Sequence, residues 1–391
     1  MKRRDFLGVL GAGGLLAISP TLAMAAAPSG AASERFRRLL ILVELKGGND
    51  GLNTIVPYAD PAYYALRPQL GIRPENLIRL DDRVGLNKAL SPLMPLWEGG
   101  QMAVVQGLGY PQPNLSHFRS IEIWDTASRS NQYLDAGWVT RMLASNPVPP
   151  AFMADALIVG SSDLGPLAGG ARAVTLAVNG DFERQARLAA LASRPGGGAL
   201  AHVLKVEADV SHAAQSLGNA DSLRIALKTE FPVHEFGRTC RTACETLARS
   251  SGVAVMRLTI GSFDTHQNQM GRHTALLTQL SEGLSSVKSA LVELGRWDDS
   301  MIMTYSEFGR RPRENQSAGT DHGTVAPHFV MGGKVRGGLY GQTPTLDRLD
   351  ETDNLPWQID FRQMYATVLE RWWQLPSQDL LGGKFQSLNI V

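Results

Sequence analysis

Cysteine is nearly missing, with two residues in a chain of 391. That excludes a disulfide scaffold and any zinc site built from four thiolates. An excess of charge of either sign is missing too: 38 Lys+Arg stand against 37 Asp+Glu, a formal net charge of +1. The chain therefore has no general electrostatic reason to bind nucleic acid or an anionic lipid surface. No internal repeat or low-complexity tract is evident. What is present is an apolar fraction of 43% and 40 glycines. Such an apolar fraction excludes a disordered chain, and the length suits one large α/β domain or two smaller ones. An enzyme or a binder of small ligands is the class that remains.

The N-terminus points to export. Lys2-Arg3-Arg4-Asp5-Phe6-Leu7 precedes a weakly apolar run from Gly8 to about Met24, and Ala23-Met24-Ala25 offers a small-x-small cleavage site. A basic start, a short apolar region and such a site form an export signal and not a membrane span. The arginine pair and the weak hydrophobicity suit the twin-arginine route. A buried N-terminal helix is the competing reading, and Gly8, Gly11, Gly13, Gly14 and Pro20 make a poor one. Residues 1–25 are thus expected to be a signal peptide cleaved near Ala25, with the twin-arginine translocase as partner and the periplasm as destination. That route usually carries chains already folded, often around a metal or cofactor. Removing the segment takes away three basic residues and one acidic one, so the chain stays near neutral. Cys240 and Cys244 fall four apart in a helical stretch. In an oxidising periplasm they are either a pair at the edge of disulfide geometry or two small buried residues, the second being preferred.

Leu39 to Leu45 (LLILVEL) is a continuous apolar run ended by Lys46-Gly47-Gly48-Asn49-Asp50-Gly51. It reads as a buried strand delivering a polar, glycine-rich loop. Met102 to Leu108, Val253 to Ile260, Met301 to Tyr305 and His328 to Met331 repeat the pattern. Between them, Thr274 to Leu294 carries leucines and a valine at helical spacing, and Asp360 to Trp373 reads as a closing amphipathic helix. Buried strands alternating with helices, with polar residues after the strand ends, predict a mostly parallel sheet with its site at the carboxyl edge. Residues 145–250, with loop-like SNPVPPAF and SRPGGGAL, read as a helical and loop embellishment on a single domain spanning 33–391.

Five polar clusters follow predicted strand ends: Asp50, Ser116-His117, Asp264-Thr265-His266, Glu307 and Asp321-His322. A lone Asp in a glycine-rich loop is usually a turn residue and a lone His a satisfied one. Together they supply the oxygen and nitrogen donors of a divalent metal site. Asp264 and His266 lie two apart, so an extended segment turns both to one side. Ser116 precedes the helical HFRSIEIWDTA and occupies a capping position. A helix N-terminus also binds anions, and a hydroxyl there is placed to attack one.

Several segments carry a family resemblance: GGNDGLNTIVPYADPAYYALRP (47–68), NLSHFRSIEIWDTA (114–127), GWVTRML (137–143), SFDTHQNQ (262–269), SEFGRRPRENQSAGTDHGT (306–324) and GGKVRGGLYG (332–341). By these the chain resembles the bacterial exported family catalogued as domain of unknown function 1501, within the alkaline phosphatase and sulfatase superfamily. The resemblance implies an alkaline-phosphatase-like three-layer α/β sandwich, with helices on both faces of a mostly parallel sheet. It also implies one or two divalent ions (zinc, or calcium, magnesium or manganese) and a small-molecule or polymeric anionic ester as substrate. Carried over, Asp264, His266 and His322 would hold one ion; Asp50, Ser116 and Glu307 a second. Ser116 would be the nucleophile and His117 an acid, base or substitute ligand, while Arg119, Arg310 and Arg311 would clamp the ester. A second alignment makes Asp321-His322 the metal-binding pair, with His328 as the later histidine. The sequence departs from the superfamily pattern at Phe308, where an imidazole is expected, and in the single residue between Asp264 and His266. Without Cys-x-Pro-x-Arg or Ser-x-Pro-x-Arg around Ser116, a formylglycine sulfatase is disfavoured. A non-catalytic binding or assembly protein is the alternative function.

Overall fold

The computed structural model describes residues 34–176, 226–250 and 252–391. The expected signal peptide and residues 177–225 lie outside these. In chain order the strands are β1 (Leu39–Leu45), β2 (Ile55–Val56), β3 (Leu77–Arg79), β4 (Gly85–Asn87), β5 (Met102–Gly109), β6 (Ala156–Val159) and β7 (Ala173–Leu176). There follow β8 (Val255–Ile260), β9 (Ser300–Tyr305), β10 (Gly309–Glu314), β11 (Thr320–Gly323), β12 (Ala326–Met331), β13 (Gly338–Tyr340) and β14 (Ile359–Asp360). Nine of these form one sheet in the order β13-β5-β12-β9-β1-β8-β6-β7, with β14 beside β5.

β1 lies at the middle and all seven of its residues are buried. A strand buried on both faces reads as a near-continuous apolar run, and β1 does so but for Glu44, whose charge is paired with Arg257 of β8. Its alternate side chains serve two cores. Leu39, Ile41, Val43 and Leu45 pack with Cys240, Cys244 and Leu247 of the Glu235–Arg249 helix and with Leu277, Leu280 and Leu284 of the Gln269–Glu293 helix. Leu40 and Leu42 face Ile123 and Trp124 of the His117–Thr126 helix, Trp138 and Met142 of the Trp138–Ser145 helix, and Tyr365. Each fully buried Leu or Ile here contributes roughly 1.5–3 kcal/mol of transfer free energy. The result is the expected three-layer α/β sandwich. Cys240 and Cys244 are both free and buried.

Three details differ from the sequence reading. β12 is antiparallel to both of its neighbours, β5 and β9. No helix links β9 to β12; the chain turns back through the β10–β11 hairpin, and such a return gives antiparallel pairing. Residues 145–250 are more than an embellishment, since β6 and β7 complete the sheet beyond β8 and the Glu235–Arg249 helix covers one face. Finally, the closing helix is Arg362–Thr367 followed by a π-helical turn, Val368–Trp372.

β1 is parallel to β8 and β9, and β5, opposed to β12, runs the same way. The carboxyl ends of β1, β5, β8 and β9 therefore share one edge. They deliver the loops after Leu45, Gly109, Ile260 and Tyr305 to one place. No helix among the described residues is long and apolar enough to cross a membrane.

Candidate metal centre

His117 opens the helix after β5, Asp264 and His266 follow β8, and His322 lies on β11. Ligand atoms of His117, Asp264 and His322 all fall within 4.8 Å of one another. His266 joins them, with its Nε2 2.9 Å from His322 Nε2 and 3.1 Å from Asp264 Oδ1. His322 Nε2 is 3.4 Å from the same Asp264 oxygen, and His117 Nε2 is 3.5 Å from Asp264 Oδ2.

The other ring nitrogen of each histidine is tied. His322 Nδ1 donates to the Leu115 carbonyl at 2.8 Å, and a carbonyl accepts only, so Nε2 keeps its lone pair. His117 Nδ1 donates to Glu307 Oε1 at 2.8 Å. His266 Nδ1 faces Asp321 Oδ1 at a longer 3.4 Å, and Asn315 donates to that oxygen as well. Binding the far nitrogen to a carboxylate or carbonyl is how proteins fix metal-ligating imidazoles. Nitrogen lone pairs and a carboxylate facing one another repel unless a proton or cation lies between them. Tetrahedral zinc with Zn–N near 2.1 Å sets neighbouring ligands about 3.4 Å apart, close to the spacing found. The donor set thus fits a divalent ion of the zinc or manganese kind.

Charge reinforces this arrangement. The Glu307 hydrogen bond raises the His117 pKa above its ordinary value against the opposing effect of burial. Burial lowers that of His322. Burial acts to raise the Asp264 pKa, but Arg310 outweighs it and holds the carboxyl below its usual range. Glu307 is also held low, because His117 and the Gly47 N–H outweigh its burial.

The remaining expected ligands are committed elsewhere. Asp50 is fully buried and paired with Arg67, whose Nη1 lies 2.6 Å from Oδ2; the Gln269 amide donates to the same oxygen. Burial would raise the Asp50 pKa, and Arg67 overrides it to keep the group ionised. Glu307 accepts the Gly47 N–H at 2.9 and 3.0 Å and the Ser306 hydroxyl, so it orients His117 from beneath. Asp321 is exposed and touches the cluster through His266 alone. His328, of the second alignment, sits within β12 fully buried against Trp124, with burial lowering its pKa to about 3.

Of the three arginines expected to grip an ester, Arg310 and Arg119 are already engaged, while Arg311 is half-buried on β10 and gives its carbonyl to Arg67. Arg310 is buried and donates to the carbonyls of Gly47, Gly48, Phe263 and Thr320 and to Asp264 Oδ1 at 2.6 Å. It stitches the loops after β1 and β8 to the hairpin. Arg119 gives one nitrogen to the carbonyls of Arg129, Ser130 and Gln132 and another to Glu122. Ser116 is exposed at the N-cap of the His117–Thr126 helix, and its hydroxyl makes no cap bond.

Residues 102–382 match the family described as Protein of unknown function (DUF1501). The chain belongs to that family. No curated protein matches it. Among solved structures it is similar to the lipoteichoic acid synthase LtaP from Listeria monocytogenes, at 10% identity, 90% of this chain, 76% of that one and a TM-score of 0.39. It is also similar to a protein in the alkaline phosphatase superfamily from Vibrio parahaemolyticus, at 12% identity, 88% and 69% coverage and a TM-score of 0.39. A third is the phosphonate monoester hydrolase SpPMH from Silicibacter pomeroyi, at 11% identity, 89% and 75% coverage and a TM-score of 0.37. Similarity at this level transfers no activity.

The DUF1501 match covers His117, Asp264, His266, Glu307, Arg310 and His322, while Asp50 and Arg67 precede it. Sequence reasoning overlooked Arg67, although it sits in the 47–68 segment that also holds Asp50. It also missed the use of Phe308 as a wall: its ring lies 4.4 Å from that of His322 and 4.8 Å from that of His117. Gly47 and Gly48 carry positive φ values of 118° and 80°. A Cβ at Gly47 would run into the Asp264 backbone, and one at Gly48 into Phe308. The glycines at the end of β1 are what let its loop approach the β8 and β9 loops.

Proposed function

We propose that this DUF1501 protein is an exported metal-dependent hydrolase of phosphate- or sulfate-type esters. The observation that carries the reading is the convergence of His117, His266 and His322 on the Asp264 carboxylate, with their Nδ1 atoms facing a carboxylate or a carbonyl. These four residues would hold one divalent ion. When bound, such an ion polarises an ester oxygen and stabilises the charge that develops. Asp50 and Glu307 are already engaged by Arg67 and by Gly47 with His117, which supports one ion rather than two.

The chain's own residues supply the rest. Ser116 immediately precedes His117 at the N-cap and its hydroxyl makes no cap bond, which supports a role in attacking or binding the anion. The first-turn N–H groups of the His117–Thr126 helix have no intrahelical acceptors and favour negative charge. Glu307 holds the Nδ1 proton of His117 and so keeps Nε2 aimed at the site. Export by the twin-arginine translocase to the periplasm belongs to the same proposal, supported by the N-terminal Lys2-Arg3-Arg4 segment. A second reading, a non-catalytic periplasmic binding or assembly protein, is favoured by one observation: Arg310 is spent on carbonyls and Asp264, and Arg119 on carbonyls and Glu122.

The test combines metal analysis of the purified mature protein with hydrolysis of p-nitrophenyl phosphate and p-nitrophenyl sulfate. One zinc or manganese per chain is expected, lost in His117→Ala and His322→Ala. Ser116→Ala is expected to slow turnover roughly 100-fold while keeping the metal. Bound metal without turnover selects the binding reading. Absence of metal, with equal rates for wild type and Ser116→Ala, sinks the hydrolase.

A further inference from the structure

The metal cluster is shallow. The Asp264 and His266 side chains are 47% and 43% exposed, and those of His117 and His322 are 33% and 21% exposed. Sites for small free ligands bury most of the ligand's surface in a cleft. A shallow site instead suits a substrate that is itself extended, of which only the reacting group reaches the floor.

The rim has the matching chemistry. Of the six exposed large hydrophobic residues among those described, Phe118 follows His117 in its helix, Tyr133 lies over Arg119 of the same helix, and Trp357 abuts Gly109 at the end of β5. Phe118 follows His117 in the first turn of its helix and is 89% exposed, with no ring partner among the described residues. Tyr133 is 73% exposed and lies over the Arg119 guanidinium, 3.9 Å from it. The same guanidinium bonds the carbonyls of Arg129, Ser130 and Gln132, so the loop carrying Tyr133 is bolted to the helix before any ligand arrives. Trp357 abuts Gly109 at the end of β5, and Gln358 next to it donates its N–H to the Gly107 carbonyl. An aromatic face held open to solvent beside a polar reacting centre fits a partner that alternates apolar faces with polar edges. A sugar ring is such a partner, stacking its C–H face while its ester points to the floor.

We infer that the substrate of the proposed hydrolase is a glycan chain bearing phosphate or sulfate esters, stacked on Phe118 and Tyr133 with Trp357 further along the rim. The inference rests on the ester-hydrolase reading and is tested apart from it. Calorimetry measures binding of oligosaccharides of two, four and six residues, each residue carrying one sulfate or phosphate ester, to the full mature protein. Affinity is expected to rise with length, by roughly tenfold from two residues to six, one to two stacking contacts' worth. Phe118→Ala and Tyr133→Ala should flatten that rise, while bound zinc, read by metal analysis, stays at the wild-type level. Length-dependent binding without turnover would retire the hydrolase and leave the glycan rim standing. Affinity that does not change with length, or a rise that survives both substitutions, overturns the inference. So does turnover of p-nitrophenyl esters with no measurable oligosaccharide binding.

Discussion

Replacing Arg67 by methionine tests the scaffold on which the site stands. Arg67 and Asp50 are both wholly buried at their side chains. The guanidinium lies 2.6 Å from Asp50 Oδ2, 2.8 Å from Asn53 Oδ1, and 2.7 and 2.9 Å from the carbonyls of Pro312 and Arg311. Methionine fills similar volume but leaves the Asp50 charge with the Gln269 amide alone, and Asp50 Oδ1 has no partner even now. Breaking a buried ion pair from one side costs about 3–5 kcal/mol, mostly the penalty of the stranded charge. Urea unfolding at pH 7.5 should show a loss of that size for Arg67→Met. Arg67→Met with Asp50→Asn, which removes the charge, should recover more than about 1.5 kcal/mol of it as a coupling term. The pH dependence has a definite sign. In wild type the Asp50 pKa is lowered by Arg67 against burial, so its stabilisation is present above the ordinary carboxylate pKa and is lost as pH falls through the folded value. Without Arg67, burial is opposed mainly by the Gln269 amide and the Asp50 pKa should rise, so the deficit of Arg67→Met should be largest at neutral pH and shrink on acidification. Asp50→Asn should also keep its bound metal. A loss below about 1 kcal/mol for Arg67→Met, or disappearance of metal from Asp50→Asn, would refute the reasoning and return Asp50 to the ligand set.

Glu307→Gln keeps the shape but not the charge that orients His117, and metal affinity read by chelator competition should fall about 10–100-fold. His273 is fully buried against Asn49 Oδ1 with its pKa lowered to about 4 by burial. The unfolded chain binds that proton near pH 6.5, so stability should fall from about pH 6.5 to 4, by roughly 3 kcal/mol, and His273→Gln should flatten that part of the urea midpoint profile. Gly47→Ala places a Cβ against the Asp264 backbone at φ 118°, and should cost more than about 1 kcal/mol in the same assay together with bound metal.

How far the fold was legible follows from burial. β1, β5, β8 and β9 announce themselves because a strand covered on both faces is mostly apolar; the one charge each in β1 and β8, Glu44 and Arg257, is paired with the other inside the core. β6 and β7 have four residues each, in a stretch marked by glycine and proline, and too short a run carries no period to read. The direction of β12 is set by the β10–β11 hairpin, a tertiary fact that its own residues do not encode.

The candidate site divides along similar lines. Position after a strand end marked Asp264, His266 and Glu307 as neighbours, because parallel strands bring their carboxyl ends together whatever the loops contain, whereas His322 reaches them on the β10–β11 hairpin. Which of them bind a metal is a separate matter, decided by which nitrogens and oxygens are already taken. Asp50 and Glu307 look like ligands as residue types, yet the Arg67 guanidinium and the Gly47 N–H have claimed them. Arg310 and the Arg119 Nη2 are taken in the same way, by carbonyls that come within reach only once the loops have closed. His117 moves in the opposite direction: as the first residue of a helix it could pass for a base, and it is Glu307 at 2.8 Å from its Nδ1 that turns the other nitrogen toward Asp264. Residue type and strand order thus foretell where charge gathers, while hydrogen-bond valence decides which charges remain free to act. Among the described residues that leaves three histidines, one aspartate and the Ser116 hydroxyl as the groups of the proposed site. The Ser116→Ala and metal measurements are therefore the ones that bear most directly on function.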